Sequence, residues 1–266
     1  METVVNNSRG SPAAAAAAGE AAIVDERFCF EEETHLTVHK TSVFVPGASD
    51  GFIVYNPAGE IIFRVDSYGP DSASKDELVL MDSTGKSLVT LLRKKPSLHQ
   101  RWEGFLGENH DQEPIFSIFK SSIIGQFNVV AVVHGHDSEK EYHVEGSFVQ
   151  RCCSIVYDGQ AAASHNNSES SSTSSKEIVA EIKRKVDPDR NIMLGKDVFL
   201  LCLKPSVDAA FMMALLLILD RISGSDSDMN DSFSSQFVGD ADELGIRTRH
   251  GNCSLYSLLR RTGILW

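Results

Sequence analysis

The chain has 266 residues, 42% of them hydrophobic, which suffices for one large domain or two small ones with a substantial core. Its 25 lysines and arginines face 37 aspartates and glutamates, giving a formal net charge of −12. Such a chain is repelled on average by phosphate backbones and anionic bilayers, so nucleic acid is not expected as a partner and any lipid contact needs a local basic patch.

The N-terminal residues and the cysteines indicate an intracellular protein. Residues 1–24 are rich in Ala, Asn, Ser and Gly and lack the basic and leucine-rich regions of a secretory signal, so we expect them to be disordered. The cysteines are odd in number and form no C-x-x-C pair, which is typical of free thiols in a reducing compartment. They are Cys29, Cys152, Cys153, Cys202 and Cys253. We predict a cytoplasmic or nuclear protein, with a peripheral position at the plasma membrane as an alternative.

From Leu36 onward, short β-branched and aromatic runs alternate with turn signals and predict about twelve antiparallel strands. Gly59 and Gly85 end two of the turns and can take the positive φ that closes a hairpin. Residues 141–149 alternate apolar and polar side chains, which predicts one wet face. The last strand, residues 198–203, is apolar on both faces, so we expect it to be covered on both sides.

Alternation also makes predictions for single residues. In RWEGFLG it places Trp102 on an apolar face with Gly104 and Leu106, so the indole should pack in the core. In EIVAEIKRKV it places Ile178, Ile182 and Arg184 on one face, opposite the lysines of that strand.

The stretch DAAFMMALLLILD, residues 208–220, has no polar side chain between its two aspartates. Ser206 as the cap, Asp208 in the first turn and Gly224 as the stop predict a helix over residues 207–222. Its apolar centre is shorter than the ~20 residues that cross a bilayer, so no transmembrane segment is expected. A helix without a polar face must be surrounded by protein. The predicted core residues of this helix are Ala210, Phe211, Met213, Ala214, Leu215, Leu217 and Ile218.

A sheet of twelve strands closes into a barrel wide enough to hold more than side chains, and a helix on its axis fills that space. We therefore predict a mainly β fold, an antiparallel barrel of about twelve strands around a central hydrophobic C-terminal helix.

The barrel domain should span residues 25–222 and include a mobile polar loop at about 159–175. Residues 223–266 form an atypical tail that we expect to be largely disordered. Leu255, Leu258 and Leu259 near its end form either one side of a short amphipathic helix or part of a terminus without function.

Four stretches in combination resemble the LURP-one-related family of plant proteins. They are GFIVYNPAGEIIFRVDSYG, LVTLLRKKPSLHQRWEGFLGE, IVAEIKRKV and DVFLLCLKPSVDAAFMMALLLILDRI, and the resemblance covers about residues 35–222. It implies a fold like that of the tubby C-terminal domain and the phospholipid scramblases. It also implies an association with plant defence and growth, without established enzymatic activity or a catalytic motif to transfer. Members of the family typically stop soon after the helix, so the long tail departs from the pattern.

No motif indicates catalysis or metal binding. His134 and His136 lie with His143 around a polar hairpin tip, without the spacing of a third ligand, so we interpret them as solvated histidines. Cys152 and Cys153 point to opposite faces of a strand, so one should be buried and the other near the surface. The chain contains no G-x-S-x-G, P-loop, GxGxxG or H-E-x-x-H motif. We expect no enzymatic activity, no metal and no cofactor.

Two basic runs are the candidate binding residues, one closing a strand before Pro96 and one in the eleventh strand. Clustered cations attract polyanionic lipid headgroups by ~1 kcal/mol per residue near an anionic surface. Such a run is more often a solvated surface, and the acidic domain opposes binding beyond a Debye length of ~8 Å. The candidate headgroup-binding residues are Arg93, Lys94, Lys95, Lys183 and Lys185.

These observations favour a non-enzymatic intracellular interaction or regulatory module, in plant defence or stress response, with an unidentified protein partner. The alternative is a peripheral phosphoinositide-binding protein of the tubby and scramblase type. Sedimentation with vesicles that contain or lack phosphoinositides separates these two hypotheses.

Overall fold

The computed structural model describes residues 22–41, 51–65, 76–108, 111–122, 128–135, 138–159 and 176–224. Most of the predicted segments 1–24, 159–175 and 223–266, including Leu255, lie outside the described residues.

The described residues form a closed antiparallel barrel of twelve strands, which confirms the predicted fold. Each barrel strand pairs with the next barrel strand in sequence, and the last one pairs with β1 to close the barrel. The barrel strands are β1 (Thr34–Thr41), β2 (Gly51–Tyr55), β3 (Ile61–Val65), β4 (Glu77–Asp82), β5 (Ser87–Arg93), β6 (Trp102–Leu106), β7 (Phe116–Lys120), β8 (Val129–Val133), β9 (Lys140–Ser147), β10 (Cys152–Asp158), β11 (Lys176–Arg184) and β14 (Val198–Leu203). Between β11 and β14, the strands β12 (Val186–Asp187) and β13 (Ile192–Met193) form a small separate hairpin that the sequence did not predict.

One helix, α1, runs over residues 209–224 and has its apolar residues inside the barrel. All seven predicted core residues of this helix are at most 1% exposed. The Phe211 ring contacts Phe116 of β7 and Tyr142 of β9, at centroid distances of 5.1 and 5.2 Å. No helix among the described residues is long and apolar enough to cross a membrane.

The start of α1 is capped by Asp208, and the prediction that Ser206 is the cap is wrong. Asp208 Oδ1 accepts hydrogen bonds from the backbone N–H groups of Ala210 and Phe211, at 2.9 and 3.2 Å. Ser206 instead has a positive φ of 63° in the turn that precedes the helix. The cap therefore lies two residues later than predicted.

The N-terminal side of the described chain is tied to the same carboxylate. Asp208 Oδ2 accepts hydrogen bonds from the N–H groups of Val24 and Asp25, at 2.6 and 3.2 Å. Ile23 and Val24 pack against the core, and a short 3-10 helix, Glu26–Phe28, follows them. The packed chain therefore begins before the predicted boundary at residue 25.

Alternation was correct for Trp102, which is 2% exposed, and wrong for two other residues. Ile178 is 46% exposed because β11 carries an extra residue, Val179, between the partners of Ile155 and Val156 of β10, and this bulge reverses the alternation that places Ala180 and Ile182 inside. Leu106 is 42% exposed because it is the last residue of β6, at the rim of the barrel.

The outer face of β14 is only partly covered. Cys202 is buried, as predicted, whereas Val198 and Leu200 are half-buried. The expectation that this strand is covered on both sides therefore holds for one of its three outward residues. By contrast, β9 has the expected alternation, with Tyr142 and Val144 buried.

Candidate functional site

The alternating strand directions sort the barrel connections into two ends with different charge. We call one of them the basic end. It is defined by the described residues of the connections that follow β3, β5, β7, β9 and β11, which are residues 76, 94–101, 121–122, 128, 148–151 and 185–197. The charged residues of these connections are Lys94, Lys95, Arg101, Arg151, Lys185, Arg190 and Lys196, together with Asp76, Asp187, Asp189 and Asp197.

We call the opposite end the acidic end. Its described segments are residues 22–33, 56–60, 83–86, 107–108, 111–115, 134–135, 138–139 and 204–208. Their acidic residues are Asp25, Glu26, Glu31, Glu32, Glu33, Glu60, Glu108, Asp111, Glu113, Glu139 and Asp208, and their basic residues are Arg27, Lys86 and Lys204. In the described connections, negative charge is therefore concentrated at one end of the barrel and positive charge at the other.

The first basic run lies at the basic end but is largely paired. Arg93 Nη1 lies 3.6 Å from Asp76 Oδ1, and Lys95 contacts the other oxygen of the same carboxylate. Lys94 Nζ lies 3.3 Å from the Glu103 carboxylate. Two carboxylates thus compensate the three cations locally, which weakens their attraction for a distant anion.

The second run differs in that one of its lysines has no carboxylate partner. Lys183 Nζ donates to Glu181 Oε2 at 2.7 Å, and this hydrogen bond raises the pKa of Lys183. Lys185 Nζ instead donates to Thr37 Oγ1 at 2.7 Å, and among the described residues it forms no ion pair. Lys185 is therefore the predicted binding residue whose charge is least compensated.

The structure does not bring the two runs together. They lie near the same end of the barrel, but β5 and β11 are six strands apart in either direction around the wall. A single small headgroup therefore cannot contact both runs, whereas a flat anionic surface laid across the barrel mouth can.

Exposed apolar side chains accompany the cations at the basic end. One projects from the β5–β6 connection, one from the β9–β10 connection and three from the β12–β13 hairpin. They are Leu98 (79% exposed), Val149 (50%), Val186 (42%), Ile192 (58%) and Met193 (54%). Sequence periodicity did not identify these residues, because it does not show which connections share an end.

Beneath this surface, a buried ionic network holds α1 at the basic end. Asp220 Oδ2 accepts a hydrogen bond from Lys40 Nζ at 2.8 Å, and its Oδ1 lies 3.6 Å from Arg151 Nη2. The Arg151 guanidinium lies 4.2 Å from both the Phe148 and the Phe199 ring centroids. Burial lowers the pKa of Arg151, and Asp220 opposes that change. Removing one member of this network would leave another buried charge less compensated, which would weaken the barrel mouth.

A second polar cluster lies on the outer wall and was missed because its members are far apart in sequence. Ser117 Oγ lies 3.0 Å from His134 Nε2, and His134 Nδ1 lies 3.2 Å from Glu139 Oε1. The order of these contacts is that of a Ser-His-Glu triad. However, Ser117 is fully buried, and Arg101 Nη2 donates to its hydroxyl at 2.8 Å. His134 is therefore partly solvated, with 31% of its side chain exposed, and also bridges two side chains.

The remaining candidate ligands do not converge on one point. Among the described residues, no group of three His, Cys, Asp or Glu side chains is arranged to hold a metal ion. Cys152 is exposed and Cys153 is buried, as predicted, and burial raises the pKa of the Cys153 thiol to about 12. His136 lies outside the described residues.

The comparisons with known proteins point to one plant family. The model of the LURP-one-related family matches residues 34–220. Protein LURP-one-related 12 from Arabidopsis thaliana is 49% identical over 84% of this chain and 93% of its own length. Protein LURP-one-related 5 from the same plant is also 49% identical, over 77% of this chain and 90% of its own length. An X-ray structure of an Arabidopsis thaliana protein aligns with a TM-score of 0.50 at 23% identity, covering 76% of this chain and 98% of the other, and supports the fold alone.

Proposed function

Because the chain belongs to the LURP-one-related family, we propose that it is a non-catalytic intracellular interaction module that binds an anionic partner through the basic end of its barrel. The observation that carries the proposal is the separation of charge between the two ends. A basic surface on an acidic protein attracts an anion in one orientation, because the acidic end is repelled. The net charge of the chain therefore does not exclude such a partner.

The packed interior of the barrel supports a role for its outer surface. Wide barrels bind small ligands in their lumen. Here the lumen is filled by α1, whose residues from Ala209 to Leu219 are at most 1% exposed. Binding is therefore left to the wall and the two ends.

We expect the Ser117 cluster to be structural and not catalytic. A nucleophilic serine must reach its substrate, but the Ser117 hydroxyl is covered and engaged by Arg101. A fluorophosphonate probe, which labels activated serines, should therefore leave the wild-type protein unmodified. Labelling that is lost in Ser117→Ala would show that the cluster is an active site and would contradict the non-catalytic proposal.

Retention on heparin–agarose tests whether the basic end binds anions. Heparin is a polyanionic polysaccharide, so this test involves no lipid bilayer. Replacing Lys185, Arg190 and Lys196 with Gln should lower the salt concentration that elutes the protein. The matched control replaces Lys86, Lys176 and Lys204, which lie at or near the acidic end, with Gln and makes the same change in net charge. Equal effects of the two triple variants, or no retention of the wild type at low salt, would contradict the proposal.

A second candidate function is phosphoinositide binding, and the uncompensated charge of Lys185 favours it. Replacing Lys183 and Lys185 with Ala should weaken sedimentation with phosphoinositide vesicles more than replacing Arg93, Lys94 and Lys95, because Asp76 and Glu103 already compensate the first run. Thermal stability should change little, since exposed charges contribute little to folding. An unchanged affinity in both variants would show that the predicted residues are the wrong ones.

The cellular part of the proposal is a role in plant defence or stress response, with an unidentified protein partner, and it rests on the family resemblance. Pathogens should grow to a different extent on plants that lack the protein than on wild-type plants. A normal phenotype that persists when similar family members are also removed would contradict this role.

A further inference from the structure

The apolar side chains at the basic end are arranged around the barrel mouth and alternate with cations. Leu98 lies between Lys95 and Arg101 in one connection, and Ile192 and Met193 lie between Arg190 and Lys196 in another. Val149 lies two residues before Arg151 in a third. Leu98, Ile192 and Met193 therefore lie close to exposed cations, although the connection of Ile192 and Met193 also carries Asp187, Asp189 and Asp197. Arg151 is buried, so Val149 has no exposed cation in its own connection.

This arrangement fits a deformable surface better than a folded protein. Protein interfaces usually have a contiguous apolar centre with a polar rim. Here the apolar side chains come from separate connections, and the β5–β6 connection lies across the mouth from the β12–β13 hairpin. A bilayer interface accepts separated apolar side chains at one depth and places anionic headgroups beside the neighbouring cations.

We propose that the basic end docks on an anionic bilayer, with Leu98, Ile192 and Met193 entering the interfacial region. This inference rests on the proposed function, since it assigns the bilayer as the anionic partner of the basic end. Arg190 and Lys196 face the headgroups, and Lys94 and Lys95 contribute less because Glu103 and Asp76 compensate their charges. The acidic end points away from the membrane because like charges repel. Because the attraction of the cations at the basic end acts on any anionic headgroup, docking needs no phosphoinositide-specific pocket.

Sedimentation of the full chain with vesicles of stated composition tests the inference. The vesicles contain phosphatidylcholine alone, phosphatidylcholine with phosphatidylserine, or phosphatidylcholine with a phosphoinositide at matched total charge. The test variant carries Leu98→Ser, Ile192→Ser and Met193→Ser. The matched control carries Ile61→Ser, Leu106→Ser and Ile178→Ser, which are comparably apolar exposed residues away from the basic end. Circular dichroism melting confirms that both variants fold.

The wild type and the control should bind phosphatidylserine vesicles equally, and the test variant should bind about tenfold more weakly or worse. None of the three proteins should bind vesicles of phosphatidylcholine alone, because insertion requires the electrostatic attraction to anionic lipid. Equal binding by the test variant, or binding that requires phosphoinositide at equal charge, would overturn the insertion. If the wild type is retained on heparin but binds no vesicle at low salt, this inference fails and the proposed function stands. If heparin retention also fails, both fail.

Discussion

Asp208 connects two distant parts of the chain through one carboxylate. Its two oxygens accept four backbone hydrogen bonds, two from the first turn of α1 and two from Val24 and Asp25. The residue is 5% exposed, so water cannot replace these acceptors readily. The cap of the buried helix and the attachment of the N-terminal segment therefore depend on the same side chain.

Asp208→Ala should destabilise the protein by about 2–4 kcal/mol, because it removes a cap and leaves buried N–H donors without an acceptor. Asp208→Asn should cost less, since its amide oxygen can still accept from Ala210 and Phe211. Urea unfolding measures both changes, with Glu145→Ala on the exposed face of β9 as the control. Equal losses for Ala and Asn would show that the capping acceptor is not the source of the stability.

Asp82, which precedes the β4–β5 turn, makes a pH-dependent contribution to the stability of the folded protein. Its Oδ1 accepts from Thr84 Oγ1 at 2.6 Å and from the N–H groups of Thr84 and Lys86. These hydrogen bonds, chiefly that of the Thr84 side chain, lower the pKa of Asp82 below its ordinary 3.8. A carboxyl group whose pKa is lower in the folded state stabilises the fold above the unfolded pKa and loses this contribution as the pH falls through the folded pKa.

The stability difference between wild type and Asp82→Asn should therefore be largest near neutral pH and shrink below about pH 4. Urea unfolding at about pH 6 and about pH 3 measures it, and comparing the two proteins at each pH cancels the other carboxylates. A difference that is constant or grows in acid would contradict the lowered pKa.

At the scale of elements, the packing of β6, β7 and α1 depends on the absence of a side chain at Gly104. Gly104 of β6 pairs with Phe116 of β7, and a Cβ built on Gly104 would lie 2.2 Å from the Phe116 ring. The Phe116 ring is fully buried and contacts Phe211 of α1. Gly104 therefore supplies the space in which an aromatic side chain of the wall packs against the central helix.

Gly104→Ala should destabilise the barrel by about 1–3 kcal/mol, because Phe116 cannot move away without displacing Phe211. Phe116→Leu alone should also destabilise it by creating a cavity. In the double variant the added methyl occupies part of that space, so the loss should be smaller than the sum of the two single losses. Additive losses in urea unfolding would show that the two sites do not share this contact.

At the scale of the whole molecule, the sequence predicted what depends on local pattern. Eleven consecutive apolar residues required a helix without a wet face, and twelve short runs supplied the strands to surround it. Ile178 was misplaced because strict alternation does not allow for a bulge, and β11 has one at Val179. The Ser117 contacts and the attachment of Val24 and Asp25 to Asp208 depend on how distant segments meet, and a local pattern contains no such information.

The separation of charge between the two ends can be predicted from the sequence only once the strand pairing is known. Once every strand pairs with its neighbour in sequence, alternate connections lie at the same end, so counting charges in alternate loops predicts the separation. The prediction that the acidic domain opposes an anionic partner applies beyond the Debye length. Within a Debye length of ~8 Å, an anion at the basic end instead responds mainly to the charges of that end.

Enclosure of α1 by the barrel also constrains how the molecule unfolds. The helix contacts wall residues on several sides, so its amides cannot open to solvent unless the barrel opens. Hydrogen exchange from residues 211–219 should therefore report the same free energy as global urea unfolding, and Arg151→Met should lower both values equally by weakening the mouth. Amides of the exposed β12–β13 hairpin should exchange much faster in both proteins and serve as the control. If α1 exchanged with a lower free energy than the barrel strands, the helix would leave the barrel as a separate unit, and the packed core would not be a single cooperative structure.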